Sequence, residues 1–197
     1  MIKVTLASAS ASRAAILKAA GVAFEAVPAR VDEAATKADL LGRNHGPREI
    51  ADKLAQMKAM EVSLRRSGLV IGADQTLELD GVLYDKPRGL KEAGEHLTRL
   101  RGRTHALHAA VVLASDGAIL WRQSDTARLT MRPFSNAFLS GYLRRNGERV
   151  LGAVGGYQLE GEGAQLFDRI EGDYFSILGL PLLGLLKVLR NQAALET

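Results

Sequence analysis

Apolar positions along the chain alternate between a two-residue and a helical period, and each switch marks an element. Val4, Leu6 and their neighbours predict a short buried strand, and Ser12 to Ala20 has helical spacing ended by Gly21. Val22 to Val27 predicts a second strand, leading into an extended loop that carries Asp32 and Glu33. Pro47 stands where a helix starts; the stripe Ile50, Ala51, Leu54, Ala55 and Val62 carries it towards Arg66, and Gly68 stops it. Leu69 to Ala73 is continuously apolar, the mark of a strand buried on both faces. Asp80-Gly81 predicts a hairpin, followed by a helix from Leu90 to Leu100. In the second half a long strand, His105 to Ala114, turns at Asp116-Gly117 into another, Ala118 to Leu129. A helix from Ser135 to Arg145, a glycine-rich stretch from Gly152 to Gly163, a strand pair around Gly172-Asp173 and a last helix from Pro181 to about Arg190 complete the chain. Alternating strands and helices beside long antiparallel hairpins predict an α/β fold with a mixed sheet.

At 197 residues the chain is long enough for a substantial core, and residues 1–197 are expected to form one domain of two lobes sharing a sheet. It contains no cysteine, which excludes disulfides, thiolate zinc sites and a cysteine nucleophile, and fits a reducing compartment. The N-terminus lacks a signal-peptide stretch and no segment is apolar enough to span a bilayer, so the expectation is a cytoplasmic protein with no membrane partner. The net charge of +4 admits nucleic acid, but the basic residues are scattered, with few aromatics among them to stack on bases. Such a balance serves a polyphosphate ligand equally well, and no nucleic-acid partner is expected.

Several polar residues change that picture. The first turn runs off a strand through Ser8, Ser10 and Ser12 to Arg13, which opens a helix; free N–H groups, hydroxyls and a guanidinium together favour an anion. Asp74 follows the apolar strand at its carboxyl end, behind the small residues Gly72 and Ala73, where open α/β sheets place chemistry. Lys58 falls inside an apolar helical stripe, so it must snorkel to the rim or meet an anion. Lys86 is stiffened by Pro87 on a loop one hairpin away from Asp74. Asp32-Glu33 offers a second carboxylate for a magnesium ion, which shares oxygen ligands with phosphates. Tyr157 to Gly161 places a ring and the Glu160 carboxylate in a glycine-rich stretch, suited to stacking on a base and hydrogen-bonding it. His45, His96, His105 and His108 lack metal-ligand spacing and read as structural. No Walker loop, dinucleotide fingerprint or nucleophile elbow occurs. Together these groups point to phosphoryl chemistry on a nucleotide.

The segments Leu6 to Ser10, Val31-Asp32-Glu33, Leu54 to Ala59, Gly72 to Gln75, Lys86-Pro87, Tyr157 to Gly161 and Gly179 to Leu182 occur in this order along nearly the whole chain. In them the chain resembles the Maf family, the septum-formation-inhibitor-like nucleotide pyrophosphatases. The resemblance implies an inosine-triphosphate-pyrophosphatase-like fold: an elongated, twisted mixed sheet bent into two lobes around a nucleotide cleft, in a homodimer. It implies hydrolysis of a nucleoside triphosphate to the monophosphate and pyrophosphate with a divalent metal, magnesium or alternatively manganese. Asp74 matches the family's catalytic aspartate, the proton acceptor for the attacking water; Ser8, Arg13, Lys58 and Lys86 fall on phosphate-handling positions; Glu33 falls on the metal-associated position, with Asp74 the other carboxylate. The chain departs from the family at Ala11 and Ser12, which replace a proline and an arginine. Of three branch-sorting positions, Gln75 and Glu160 resemble the 7-methyl-GTP branch rather than the dTTP and UTP branch, and Ser12 matches neither. The resemblance therefore leans to a modified, purine nucleotide, with pyrimidine triphosphates, or regulation of cell division without turnover, as alternatives.

Overall fold

The computed structural model describes residues 2–196. Its centre is a mixed seven-stranded sheet in which a parallel part, β2 (Glu25–Ala26), β1 (Val4–Leu6) and β3 (Leu69–Leu79), continues antiparallel through β5 (Thr104–Ser115), β6 (Ala118–Met131) and β7 (Phe167–Glu171). The short β4 (Val82–Tyr84) folds back on β3 beyond the Asp80-Gly81 turn. The helices are α1 (Ala11–Ala19), α2 (Glu33–Gly42), α3 (Pro47–Ser63), α4 (Leu90–Leu100), α5 (Asn136–Asn146), α6 (Tyr174–Ile177) and α7 (Leu182–Asn191). Short 3-10 turns occupy half of the glycine-rich stretch. The mixed α/β architecture is the one expected.

Two hydrophobic cores lie towards opposite ends of the sheet. One gathers Val4, Leu6, Leu17, Ile71, Leu113 and Leu185 under α1 and α7; the other gathers Leu77, Leu97, Leu107, Leu129, Phe134 and Tyr142 under α4 and α5. Between them the even-numbered residues of β3 face α3. Val70 packs in a cluster with Val62, and Thr76 Oγ1 donates to the carbonyl of Pro47. Small residues set this spacing: Ala51, Ala55 and Ala59 pack on Ala110, Val112 and Ala114 of β5, and a Cβ on Gly72 would lie 2.3 Å from the carbonyl oxygen of Ala55. Glycine there lets α3 sit directly on the sheet.

Four expectations are corrected. β3 does not stop at Ala73 but continues to Leu79, so Asp74 lies inside a strand rather than after one. The apolar run ended there because the strand changes surroundings, not because it terminates. Asp32 and Glu33 are not on a loop: Asp32 caps α2 by accepting from the N–H of Ala35, and Glu33 is its first residue. Only Glu25–Ala26 of the expected second strand pairs with β1. The predicted strand pair at Gly172-Asp173 is one strand, β7, followed by α6, because Asp173 caps a helix by accepting from the N–H of Ser176.

Candidate active site

Pairing along β3 creates the site. β1 pairs with β3 as far as Ile71, and β4 pairs with it only from Leu77 onward, so residues 72–76 have β5 on one side and, among the described residues, no strand on the other. At this open edge the alternation of side chains turns Asp74 towards α3 and Gln75 towards α6. A ligand lying along the edge meets residues of both faces. The edge opens into a cleft of ≈ 430 Å³, within the ~300–1,000 Å³ typical of small-molecule sites. Ser8, Ser10, Ser12, Arg13, Glu33, Lys58, Asp74, Gln75, Lys86 and Glu160, all expected from the sequence, line this one cleft.

Lys58 meets anions. Its Nζ lies 2.6 Å from Oδ1 of Asp74 and 2.7 Å from Oε1 of Glu33, with the lysine and aspartate side chains only 8% and 7% exposed. The close seat of α3 over Gly72 makes this reach possible. Asp74 Oδ2 is buried without a hydrogen-bond partner among the described residues, leaving one carboxylate oxygen free to accept. Burial pushes the Glu33 carboxyl upward, but the hydrogen bond from Lys58 and the charges of Lys58, Lys37 and Arg13 outweigh it and hold the group below its usual value.

The first turn forms the opposite wall. Ser10 caps α1, and the buried Ser8 Oγ accepts from the N–H of Ser10 at 3.1 Å and from Nη1 of Arg13 at 3.3 Å. Arg13 Nε donates to the carbonyl of Gly179 at 2.9 Å. Burial lowers the Arg13 pKa against the opposing pull of Asp74 and Glu33, yet an arginine remains charged. Lys86 follows β4; burial, with Arg13 and Lys58 nearby, pushes its pKa down despite Glu33 and Asp74. Three cations thus face two carboxylates, a set able to take up a polyanion with its own counterion.

Lys37 and Asp85 also line the cleft, joined by an ion pair at 2.5 Å across its mouth. Sequence reasoning missed both. Lys37 lies one helical turn after Glu33, a signal that disappears once that segment is taken for a loop. Tyr157 differs from expectation as well: it borders the cleft, but its ring is buried, its hydroxyl lies 2.7 Å from His105 Nε2, and it packs edge-on to Phe167. It belongs to the core wall rather than to a free stacking surface, whereas Glu160 is exposed at the rim.

Among the described residues no three histidine or carboxylate side chains converge as a metal cage. Glu33 and Asp74 are a two-carboxylate set of hard oxygen donors, which suits a hard cation that takes its other ligands from phosphate and water.

A family model described as Maf-like protein matches residues 3–192. A protein of Caulobacter vibrioides named nucleoside triphosphate pyrophosphatase is 60% identical over 192 residues, 98% of this chain and 96% of that protein. A protein of Rhizobium meliloti named 7-methyl-GTP pyrophosphatase is 50% identical over 192 residues, 97% and 96% of the two chains. The crystal structure of a nucleoside-triphosphatase, a dITP/XTP pyrophosphatase from Mycobacterium abscessus, aligns over 98% of this chain and 95% of that one at 14% identity. Its TM-score of 0.41 is too low to bear on the site.

Proposed function

The chain belongs to the Maf-like family, and from that premise we propose that it is a nucleoside triphosphate pyrophosphatase, hydrolysing its substrate to the monophosphate and pyrophosphate. The observation that carries the reading is the buried Asp74–Lys58 pair joined by the half-exposed Glu33, with one aspartate oxygen unpartnered among the described residues, in a cleft walled by Arg13 and Lys86. Asp74 Oδ2 accepts a proton from water as the water oxygen bonds to the α-phosphorus. The bond from that phosphorus to the bridging oxygen breaks, and pyrophosphate leaves with the electron pair. Negative charge builds on the leaving group, and Arg13, Lys58 and Lys86, already held in place, stabilise it without reorganisation. Ser8 fixes Arg13, and the Ser10 to Ser12 turn offers hydroxyls and N–H groups to phosphate oxygens.

Glu33 and Asp74 would hold a divalent cation, magnesium or manganese, which supplies charge neutralisation on the phosphates when bound. The substrate is a modified, purine nucleotide: Gln75 and Glu160 bring acceptors to the base end, as suits a guanine-like N–H edge or a cationic methylated ring. A homodimer acting in the cytoplasm on free nucleotide, without a membrane or nucleic-acid partner, completes the proposal. No helix among the described residues is long and apolar enough to cross a membrane. Pyrophosphate release with magnesium, measured over canonical and modified triphosphates, tests it. Preference for 7-methyl-GTP is expected; preference for dTTP or UTP overturns the base assignment, and binding without turnover overturns the enzyme.

A further inference from the structure

Gln75 Nε2 donates to the carbonyls of Ser176 at 3.0 Å and Ile177 at 2.8 Å. A carbonyl only accepts, so the amide nitrogen must face α6 and both its protons are used there. Oε1, with no hydrogen-bond partner among the described residues, remains for the cleft. The carbonyls at the end of a helix are ordinarily capped by solvent or the chain; here the N–H of Gly179 donates to that of Ser176 at 3.0 Å, and the Gln75 side chain adds a second donor there and reaches Ile177.

The short helix is itself pinned from behind. The Ser176 side chain is buried, with Oγ 2.8 Å from Asp125 Oδ2 and 2.9 Å from Asp173 Oδ1, so its one proton is shared between two carboxylates. Asp125 in turn accepts from Gln123 Nε2 at 3.1 Å. The same segment reaches the phosphate wall, because the carbonyl of Gly179 receives Arg13 Nε. Gly179 has φ +97°, which favours glycine, and a Cβ there would lie 3.5 Å from both Gln75 Oε1 and Arg13 Nε.

We propose that Ser176 and Asp125 are positioning residues for base selection: they pin α6, whose carbonyls lock Gln75 as a pure acceptor and so favour a base edge that presents N–H donors. This rests on the pyrophosphatase reading and adds to it the element that enforces the selection. Asp125 lies on β6, outside the cleft, and acts only through Ser176. The fixed acceptor is matched by the exocyclic 2-amino group of a guanine-type edge; hypoxanthine keeps the ring N–H but lacks that amino donor.

The test is kcat and KM for guanosine and inosine triphosphates in wild type, Gln75→Ala, Ser176→Ala, Ser176→Thr and Asp125→Asn. Wild type should favour the guanine nucleotide about tenfold in kcat/KM, the order expected for one unmatched polar contact. Gln75→Ala and Ser176→Ala should abolish the preference, mainly through KM for the guanine nucleotide, and Ser176→Thr, which keeps the hydroxyl, should restore it. Asp125→Asn should narrow it without touching the cleft, which covers the case of a Ser176 variant that fails to fold. A Ser176→Ala enzyme that keeps the preference while Gln75→Ala loses it overturns the positioning role; a Gln75→Ala enzyme that keeps it overturns the base contact. If no triphosphate is turned over, the pyrophosphatase reading has failed separately, and the same ratio read as Kd by calorimetry decides the positioning proposal.

Discussion

Two buried polar clusters sit on neighbouring strands of one sheet and behave in opposite ways. On β3, Asp74 is as buried as a core leucine, yet Lys58 and Glu33 join it in a charged trio. On β5, His105 is enclosed by Tyr157 and Phe167, with no charged partner among the described residues. Burial pushes His105 down to about 4 and the Tyr157 hydroxyl far up, so this pair is neutral, and His105 Nδ1 has no hydrogen-bond partner among the described residues. Desolvation alone neutralises a group; desolvation among counterions keeps charge and leaves it ready to act. The first cluster lies at an unpaired strand edge open to a cleft, the second inside the core.

The strongest way to break this comparison is Asp74→Asn. Removing the proton acceptor should lower kcat by about a thousandfold, the usual scale for general-base loss, while circular dichroism shows the fold intact. Near-normal pyrophosphate release would take Asp74 out of the chemistry. Next, Lys58→Met strips the buried aspartate of its counterion and should cost about 3–5 kcal/mol in denaturant unfolding. If the magnesium proposal holds, millimolar magnesium should recover part of that loss in a thermal melt, and more than it stabilises wild type.

His105 probes the neutral cluster. Its folded pKa is about 4 against 6.5 for the free group, so the unfolded chain takes up a proton that the folded one refuses. The stability from the neutral imidazole is complete above pH 6.5 and declines as pH falls towards about 4, by about 3 kcal/mol in total. His105→Gln, which does not titrate, should flatten that slope in chemical unfolding curves, and an unchanged slope would assign the loss to other groups. The smallest effect is at Lys86, whose lowered pKa brings loss of its charge below the usual 10.5. Substrate KM should rise as pH approaches that value from below, by less than about tenfold, and Lys86→Arg should move the rise to higher pH.

Much of the site was legible from residue type and order. Lys58 was conspicuous because a lysine in an apolar stripe requires an explanation, and the structure supplies it as two carboxylates. The helix Leu90–Leu100 follows its apolar spacing to the residue. What was illegible depends on partners distant in sequence. β3 continues through Asp74 because β5 pairs with it from Val70 to Glu78, a long-range pairing that no local apolar pattern announces. Tyr157 looked like a ligand-facing ring, but His105 and Phe167, contributed by other strands, draw it into the core. Gln75 stood out only through the family resemblance, as a branch-sorting position; nothing near it foretold that a four-residue helix a hundred positions onward would orient its amide.

The amino-acid sequence by itself determined the α/β class, five of the helices, the long antiparallel strand pair, and the set of cations, carboxylates and hydroxyls, because local periodicity and residue chemistry need no partner to be read. Only the tertiary structure decided that the edge of β3 stays open between β1 and β4, that glycine at position 72 brings α3 close enough for Lys58 to reach Asp74, and which amide atom of Gln75 faces the cleft. Each of those depends on contacts between segments far apart along the chain, whose geometry exists only once the sheet has formed.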